Sequence, residues 1–479
     1  MHSRPVVAIL AACVVVLSYL FWRWQYLSLE GALPAARCSL EVADHSTALS
    51  TPQRRFRVAV ASYFGFHFDV YMALVWTLER VMAQSGAVEV YAEQPFGFDF
   101  QNIVDDLRLY RGAVKPPDRL VSDIRANMGT GGIDLVVLGT CEVDLRGQQH
   151  QDLLDAWDAR STGFKFKIVC IVHNIEDYDW QVNIPEWSRR NAIRILPISE
   201  HAGPSVASAF KQMFLVSADS ANDTLRLSRP EDILIDVHVP VLDIPSLKKR
   251  QPRHFLSDAV IQGSFFSDRR DYVKIFAELN ESLSINPKVW GYLSRQTQDV
   301  AYRVDESLPD PPFRLFLIGS GYIEIPPELE NLVVVRDGLS YPEFYALMSQ
   351  MDICIPAFSV GNDYYDVQAS STFAMAVECD VPILVTERIK KAYAYADDPR
   401  AVVTRPAAMR EVEALRALRT GDVTHFLQQT RISPESSTAQ GAKRMVQQGW
   451  VRSAQESRSF KEGVWAANER VVERILHDL

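Results

Sequence analysis

Short aliphatic runs alternate along the chain with longer stretches whose apolar residues recur every three or four positions. In the first half the aliphatic runs are RVAVASY, VEVYAE, DLVVLGT, FKIVCIVHN and AIRILPIS. Between the first two, the helical pattern of residues 69–84 places Val70, Leu74, Leu78 and Val81 on one face. Strands that alternate with amphipathic helices predict an α/β fold with parallel sheets, because parallel strands need a crossover connection.

The same alternation starts again in the second half of the chain. Its aliphatic runs are DAVIQ, FRLFLIGSG, ENLVVVRDG, MDICIPAF and VPILVTE. Pro245 and Pro252 bracket a basic stretch without strand character, which is typical of a linker. We therefore predict two doubly wound domains, residues 55–245 and 246–432, followed by a tail of helices, residues 433–479, that packs back onto the body.

The amino-terminal segment has a different character. Pro5–Trp22 contains no charged residue, and at helical rise it spans roughly 27 Å, enough for a thin bilayer. We expect a single-pass membrane anchor over residues 1–26 and a stem over residues 27–54, with the bulk of the chain in the lumen of the endoplasmic reticulum or Golgi. A cleaved signal peptide is the alternative, since ALPAARC resembles a cleavage region. The sequons at Asn222 and Asn280 fit a lumenal, glycosylated protein.

Charge and cysteine content narrow the classes of function and compartment. The net charge is -10, and no run rich in Lys and Arg offsets it, which argues against nucleic acid as a partner. Of the six cysteines, Cys13 lies in the expected anchor, and the other five cannot all pair with each other. We predict no disulfide framework and at most an isolated bridge, with Cys170 and Cys354 as buried thiols inside aliphatic runs.

Three small hydroxylated residues stand at a predicted helix start in the second half: Ser370, Ser371 and Thr372. Backbone N–H groups at a helix start, together with the positive end of the helix dipole, form a natural site for a diphosphate. The three hydroxyl groups add hydrogen-bond donors there. The alternative is that one of them is only the residue that caps the helix.

Glycines and basic residues follow two strand ends of the second half. Gly263 allows a tight turn, and the residues after it include three cations that can neutralise a leaving diphosphate. These cations are Arg269, Arg270 and Lys274. A solvated helix face is the other interpretation of them. Gly319 and Gly321 of the IGSG run are expected beneath the nucleotide, or form only a turn.

Two histidines follow strand ends of the first half. Gly65 and His67 lie in the loop after the first strand, and His173 ends a later strand, with Glu176 in the acidic loop beyond it. In facing parallel sheets the carboxyl ends of the strands surround one cleft, which is the expected site. An imidazole there can take the proton of an acceptor hydroxyl at neutral pH, but aromatic neighbours also allow His67 to be a packed wall residue.

The order of these elements resembles the GT-B fold glycosyltransferases that use nucleotide sugars, over residues 55–479 and most clearly over residues 259–386. The matching elements are a strand, glycine turn and basic helix, then FLIGSG, then VVVRDGLSYPEFYALMSQMDICIPAF, then the Ser-Ser-Thr helix start. The resemblance implies two facing Rossmann-like domains, a nucleotide diphosphate sugar as donor substrate, no further cofactor and no metal. Met375 stands at the family's usual glutamate, Asp380 at its usual glycine, and Asp366 lies one position from the expected first acid.

This resemblance also implies roles for the candidate residues. A histidine at the place of His67 is the base of inverting members, while a histidine at the place of His173 contacts the donor sugar in retaining members. The catalytic candidates are therefore His67 and Asp366, and the sugar or acceptor contacts are Gly65, His173 and Glu176.

The function implied by the resemblance is that of a metal-independent glycosyltransferase of the secretory pathway. It would transfer a sugar to a hydroxyl of a glycan, lipid or protein, and residues 5–22 would hold it at the lipid bilayer. The donor-binding candidates are Gly263, Arg269, Arg270, Lys274, Gly319, Gly321, Ser370, Ser371 and Thr372. The alternatives are a sugar-nucleotide epimerase of the same architecture, and a catalytically degenerate GT-B protein that acts as a partner or regulator.

Overall fold

The computed structural model describes most of the chain beyond the expected stem. The described residues are 55–83, 85–177, 179–218, 233–244, 255–422, 424, 426, 437–448 and 454–479. They belong to one compact unit, Arg54–Leu479. The expected anchor, the stem and the sequon at Asn222 lie outside the described residues. Within the described ranges, no helix has both the length and the apolar composition needed to cross a membrane.

Two parallel sheets, each with six described strands, organise the molecule. The first sheet has the order β2-β1-β3-β4-β5-β6 and the second the order β12-β11-β10-β7-β8-β9. The strands are Phe56–Ala61 (β1), Gly86–Tyr91 (β2), Leu135–Leu138 (β3), Lys167–Val172 (β4), Ile193–Pro197 (β5), Leu234–Ile235 (β6), Asp258–Gln262 (β7), Arg314–Gly319 (β8), Val333–Asp337 (β9), Ile353–Cys354 (β10), Ile383–Val385 (β11) and Val402–Thr404 (β12). The predicted α/β fold with two parallel sheets is confirmed.

Helices connect the strands, as parallel pairing requires. The described α-helices are Phe68–Val81 (α1), Phe100–Leu107 (α2), Arg119–Ala126 (α3), Cys141–Asp144 (α4), Gly147–Asp158 (α5), Ile184–Arg189 (α6), Ala202–Ala218 (α7), Tyr272–Ile285 (α8), Pro287–Trp290 (α9), Tyr341–Met348 (α10), Ser371–Glu378 (α11), Glu387–Ala392 (α12), Glu411–Thr420 (α13), Ser437–Gln448 (α14) and Ala454–His477 (α15). Asn280 lies inside α8 and is half-buried, so this sequon is not in a surface loop.

Each sheet reverses its strand order once among the described strands. We call residues 55–244 the first lobe and residues 255–422 the second lobe. In the first lobe the order reverses between β1 and β3, and in the second lobe between β7 and β10. Ligands of open α/β sheets bind outside the carboxyl ends of the strands at such switch points, so the loops after these strands are where a site is expected.

The carboxyl-terminal helix α15 contacts both lobes. Trp465 packs edge-on against Trp76 of α1 with ring centroids 5.3 Å apart, and its indole N–H donates to the carbonyl of Val241, 2.9 Å away. Lys461 forms an ion pair with Asp380 of the second lobe at 2.9 Å. This helix therefore joins the two lobes on the side of α1.

The cysteines correct one prediction and confirm another. Cys141 and Cys170 form a disulfide, so Cys170 is not the free thiol that its aliphatic surroundings suggested. Its partner stands at the start of α4, which the parallel pairing of β3 and β4 brings alongside. Cys354 is a buried free thiol as predicted, and Cys379 is a second one. One bridge among the described cysteines agrees with the expectation of at most an isolated disulfide.

Candidate active site

A cavity of about 620 Å³ lies between the loops at the carboxyl ends of both sheets. It brings together eight of the residues that the sequence singled out: His67, His173, Gly263, Arg269, Arg270, Gly319, Ser370 and Ser371. Six others do not line it: Gly65, Glu176, Lys274, Gly321, Asp366 and Thr372. The wall from the first lobe carries the histidines, and the wall from the second lobe carries the arginines and the start of α11.

Two glycines allow the ends of β7 and β8 to lie against each other. Gly263 has φ of 127°, a backbone conformation that side chains rarely adopt, and the guanidinium of Arg270 lies where its Cβ would be. A Cβ on Gly319 would collide with the carbonyl oxygen of Gly263. Both positions therefore need glycine because any side chain there would collide with its packed neighbours.

The side chain of Arg270 is the least expected feature of the second-lobe wall. It is only 2% exposed, yet it lines the cavity. Its Nη2 donates to the Oγ1 of Thr372 at 2.8 Å and its Nη1 reaches the carbonyl of Ser264 at 3.5 Å, while its Nε has no hydrogen-bond partner among the described residues. None of the ion pairs among the described residues involves this guanidinium. The Tyr364 ring centroid lies 5.8 Å from its Cζ. A buried cation is costly unless it is paired, and this one has no opposite charge beside it among the described residues.

Other buried arginines of this protein are satisfied differently. The guanidinium of Arg160 donates to four backbone carbonyls at 2.6 to 3.1 Å, although its Nε, like that of Arg270, has no partner among the described residues. That of Arg419 donates to three carbonyls. Neither of them lines the cavity. Arg270 has one hydroxyl partner and one long contact in place of these carbonyl cages, which distinguishes it from a purely structural arginine.

Ser370, Ser371 and Thr372 have different positions and contacts at the start of α11. Ser370 is the N-cap, and its Oγ accepts from the backbone N–H of Thr372 at 3.4 Å. Thr372 is 0% exposed and its hydroxyl lies between Arg270 and the carbonyl of Gln262. Ser371 alone among the three is exposed, and it lines the cavity. Thr372 therefore positions the arginine and does not face a ligand, which corrects its predicted placement in the cradle.

Two of the predicted charged residues are engaged outside the cavity. Lys274 reaches Glu411 at 3.4 Å, and Asp366 is largely exposed and pairs with Arg388 at 3.1 Å. Arg269, in contrast, stays at the cavity and donates from Nη1 to the phenol oxygen of Tyr364 at 2.8 Å. The basic part of the site is therefore the Arg269 and Arg270 pair.

The two histidines of the first-lobe wall form a stacked pair. The ring centroids of His67 and His173 are 3.9 Å apart and the rings are nearly parallel. His67 precedes α1 with φ of 60°, a left-handed backbone, which turns its ring toward the strand ends. Burial, and then the neighbouring His173, hold the pKa of His67 well below its usual value, and burial also lowers the pKa of His173. Both rings are therefore neutral at pH 7.

Hydrogen bonds constrain the proton positions of this pair. The Nε2 of His173 lies 3.0 Å from the carbonyl of Gly139, an acceptor only, so it carries the proton. The Nδ1 of His67 lies 3.4 Å from the hydroxyl of Thr140. If that nitrogen donates to Thr140, the Nε2 of His67 keeps a free lone pair and is able to accept a proton.

Glu142 is a cavity residue that the sequence did not single out. It is 6% exposed, and its Oε1 accepts from the backbone N–H groups of His173 and Asn174, both at 2.6 Å. Its Oε2 has no hydrogen-bond partner among the described residues. Burial raises its pKa to about 7. The signal was present, since Glu142 follows the end of β3 as His67 follows β1 and His173 follows β4.

The lobes meet beside the cavity through a carboxyl and a phenol. Asp69, next to His67, hydrogen-bonds the side chain of Tyr341 at the start of α10, and burial raises the pKa of this carboxyl. The backbone N–H of Tyr341 donates to the carbonyl of Phe98 at 2.8 Å. The rings of Phe66 and Phe98, with 50% and 55% exposure, lie 6.3 Å apart at the edge of the cavity.

Two positions at which the sequence departs from the GT-B pattern are now placed. Asp380 has φ of 57°, the left-handed conformation that a glycine adopts without strain. The backbone at this position therefore has the conformation that suits the glycine of the GT-B pattern. Met375 lines the cavity from α11, where the family pattern has a glutamate. Among the described residues, no three His, Cys, Asp or Glu side chains are grouped so that they could hold a metal ion.

Comparison with known proteins gives structural similarities only. No protein-family model and no curated protein matches the chain. An O-GlcNAc transferase mutant of Thermobaculum terrenum is 13% identical, with 89% of this chain and 69% of that chain covered and a TM-score of 0.45. An alpha-glucosyltransferase in complex with UDP-glucose and DNA is 8% identical, with 86% and 100% covered and a TM-score of 0.48. A UDP-N-acetylglucosamine 2-epimerase is 8% identical, with 82% and 95% covered and a TM-score of 0.38.

Proposed function

We propose that this protein transfers a sugar from a nucleoside diphosphate sugar to a hydroxyl acceptor, with the diphosphate bound at the second-lobe wall. The observation that carries the proposal is the buried guanidinium of Arg270, which lines the cavity without an ion-pair partner among the described residues. An anion bound there supplies the missing negative charge and accepts hydrogen bonds from the guanidinium.

The groups around Arg270 suit a diphosphate in particular. Arg269 adds a second positive charge at the cavity, and Ser371 adds a hydroxyl and the start of a helix of eight residues. Gly263 leaves room for the Arg270 guanidinium, and Gly319 lets the end of β8 lie against that of β7. Two cations and a helix start together stabilise the negative charge that develops on a leaving diphosphate.

The first-lobe wall supplies the base. In this scheme the Nε2 of His67 removes the proton of the acceptor hydroxyl, and the oxygen forms a bond to the anomeric carbon of the sugar. The bond from that carbon to the phosphate oxygen breaks, and its electron pair leaves with the diphosphate. The neutral state of His67 at pH 7 supports this role, because only the unprotonated ring accepts a proton.

The position of the acidic residues favours this inverting route over a retaining one. Asp366 points away from the cavity toward Arg388, and Met375 stands where a carboxylate would face the sugar. The same two observations favour a second candidate, a protein that binds a nucleotide without turning it over. Donor interconversion without transfer would instead indicate an epimerase.

Arg270→Gln tests the proposal, with Arg160→Gln as the matched control. Titration calorimetry with UDP and GDP should show a loss of about 1 to 3 kcal/mol in Arg270→Gln, the cost of lost hydrogen bonds to a charged group. Its melting temperature should hold or rise, because an unpaired buried cation is removed. Arg160→Gln should lower the melting temperature and leave diphosphate affinity intact. Wild-type diphosphate affinity in Arg270→Gln would contradict the proposal.

We further propose that the protein acts in the secretory pathway, anchored through residues 5–22. The charge-free amino-terminal stretch supports this compartment, and so does the disulfide between Cys141 and Cys170, since such bridges persist in oxidising environments. The acceptor is then a glycan, lipid or protein hydroxyl that meets the cavity from the lumen.

A further inference from the structure

Glu142 has an unusual combination of burial and missing bonding. The residue is 6% exposed and lines the cavity, yet one of its two carboxyl oxygens, Oε2, has no hydrogen-bond partner among the described residues. Leaving a buried carboxyl oxygen unpaired is unfavourable, so such an atom in a cavity wall indicates that a ligand completes its bonding. The transfer chemistry proposed above uses His67, Arg269, Arg270 and Ser371, and gives this oxygen no part.

The surrounding structure holds the carboxyl in one place. Its Oε1 accepts from the backbone N–H groups of His173 and Asn174, which fixes the group to the loop after β4. The preceding residue, Cys141, is bonded through its disulfide to Cys170 of β4. Two backbone donors and the disulfide of the neighbouring residue hold the carboxyl in one orientation at the cavity wall, and Oε2 is its oxygen without a partner among the described residues.

A sugar hydroxyl is the ligand group that fits this oxygen best. The proposed reaction gives a single acceptor hydroxyl to His67, and the diphosphate oxygens to the two arginines. A partner for Oε2 must then come from a further donor on one of the substrates. Sugars carry several hydroxyl groups, and a carboxylate is a strong acceptor for them. The exposed rings of Phe66 and Phe98 at the cavity edge offer an apolar face for the sugar ring.

We propose that Glu142 is a specificity-determining residue that binds a sugar hydroxyl through its Oε2. The inference rests on the proposed function, and the hydroxyl belongs either to the donor sugar or to a saccharide acceptor. Burial, and with it the nearby Asp177, raises the pKa of Glu142 to about 7, so the carboxyl loses its proton within the neutral range. The buried Asp144, whose pKa is also raised to about 7, titrates beside it and stays unchanged in a Glu142 variant. Sugar binding should therefore strengthen as the pH rises through that range.

Glu142→Gln is the informative variant. Its amide oxygen keeps both backbone N–H partners, and its NH₂ group replaces an acceptor by a donor at the Oε2 position. Binding is measured by calorimetry at pH 6, 7 and 8 with three sets of probes. These are the bare diphosphates UDP and GDP; the nucleotide sugars UDP-glucose, UDP-N-acetylglucosamine and GDP-mannose; and methyl glucoside, galactoside and mannoside added to diphosphate-saturated protein. Glu176→Gln is the control, because this residue lies in the loop after β4 that Glu142 contacts but does not line the cavity.

We expect Glu142→Gln to bind the bare diphosphate within twofold of wild type and to lose at least tenfold affinity for a sugar-bearing probe at pH 8. A loss confined to the nucleotide sugars assigns the hydroxyl to the donor, and a loss confined to the glycosides assigns it to the acceptor. The wild type should bind that probe more tightly at pH 8 than at pH 6, while the variant shows no such change.

Three results would overturn the assignment of Glu142. One is equal affinity of variant and wild type for every sugar probe. Another is an equal loss for bare diphosphate and sugar probes with a lowered melting temperature, which indicates a structural carboxyl. The third is that the wild-type protein binds the bare diphosphate, binds the nucleotide sugars no more tightly, and does not bind the glycosides. A wild type that does not bind UDP or GDP at all refutes the proposed function instead.

Discussion

The stacked histidines show how residues at strand ends set a proton affinity. His67 and His173 come from loops after β1 and β4, and their ring centroids are 3.9 Å apart. Burial lowers the pKa of both rings, and the neighbouring His173 lowers that of His67 further. A lowered pKa means that the neutral ring persists as the pH falls below the usual histidine value of about 6.5, and the base is lost only at a lower pH.

Substitution of these two residues should separate catalysis from binding. His67→Ala should reduce transfer by about a hundred- to ten-thousand-fold, the usual contribution of a general base, while UDP or GDP affinity changes little. The acid limb of the wild-type activity profile should lie below pH 6.5, and His173→Asn should move it upward because the second ring no longer opposes protonation. His150→Ala, outside the cavity, is the control. Near-normal turnover in His67→Ala would point to a retaining mechanism.

At the scale of one element, α11 separates capping from ligand contact. Ser371→Ala should weaken diphosphate binding by about 1 kcal/mol without changing the melting temperature, because this hydroxyl faces the cavity. Ser370→Ala should lower the unfolding free energy by about 1 kcal/mol through loss of the N-cap. Thr372→Val should weaken the diphosphate more than the bare nucleoside, because Arg270 loses its hydroxyl partner. Calorimetry with UDP and with uridine, together with thermal melts, distinguishes these three variants. If each variant weakened UDP and uridine binding equally, α11 would have no role in diphosphate binding.

Strands were more predictable from the sequence than contacts between strands. Ten of the twelve described strands coincide with predicted aliphatic runs, because a buried parallel strand leaves a continuous apolar signal. The two that were missed, β6 and β12, are short edge strands, whereas β10 and β11 are equally short but lie inside the sheet within longer apolar runs. Element order along the chain was therefore sufficient for the fold, while boundaries at the sheet edges were not.

Site residues were predictable only where a strand end was enough to place them. His67, His173 and Gly263 follow strands and line the cavity as expected. The sequence could not distinguish Arg270, which is buried at the cavity, from Lys274 one helical turn later, which pairs with Glu411. Arg270 differs because its guanidinium contacts Thr372 at the start of α11. That contact depends on packing between elements that are distant in sequence.

For the whole molecule, contacts beside the cavity join the two lobes. The ring nitrogens of His201 lie 2.8 and 2.9 Å from the carbonyl oxygens of Ala392 and Gln368 in the second lobe. A bridge between Asn174 and Gln368 and the helix α15 add to this connection. The cavity is thus held between two lobes that are also joined to each other by these contacts.

The compartment of the whole chain yields the last prediction. If residues 5–22 anchor the protein with its bulk in the lumen, translation of the full chain into microsomes should give a membrane-bound product that resists protease added from outside. Endoglycosidase should lower its mass, and Asn222→Gln should remove that shift. Asn280→Gln should leave the shift in place, because this residue is half-buried within α8 and a folded helix is a poor glycosylation site. The Cys141–Cys170 bridge should form in the same product, as judged by a mobility change on reduction. Digestion of the large portion in sealed microsomes would place the bulk of the chain on the cytoplasmic side and refute this orientation. Release by alkaline carbonate of a product shortened at its amino terminus would show that the amino-terminal stretch is a cleaved signal peptide.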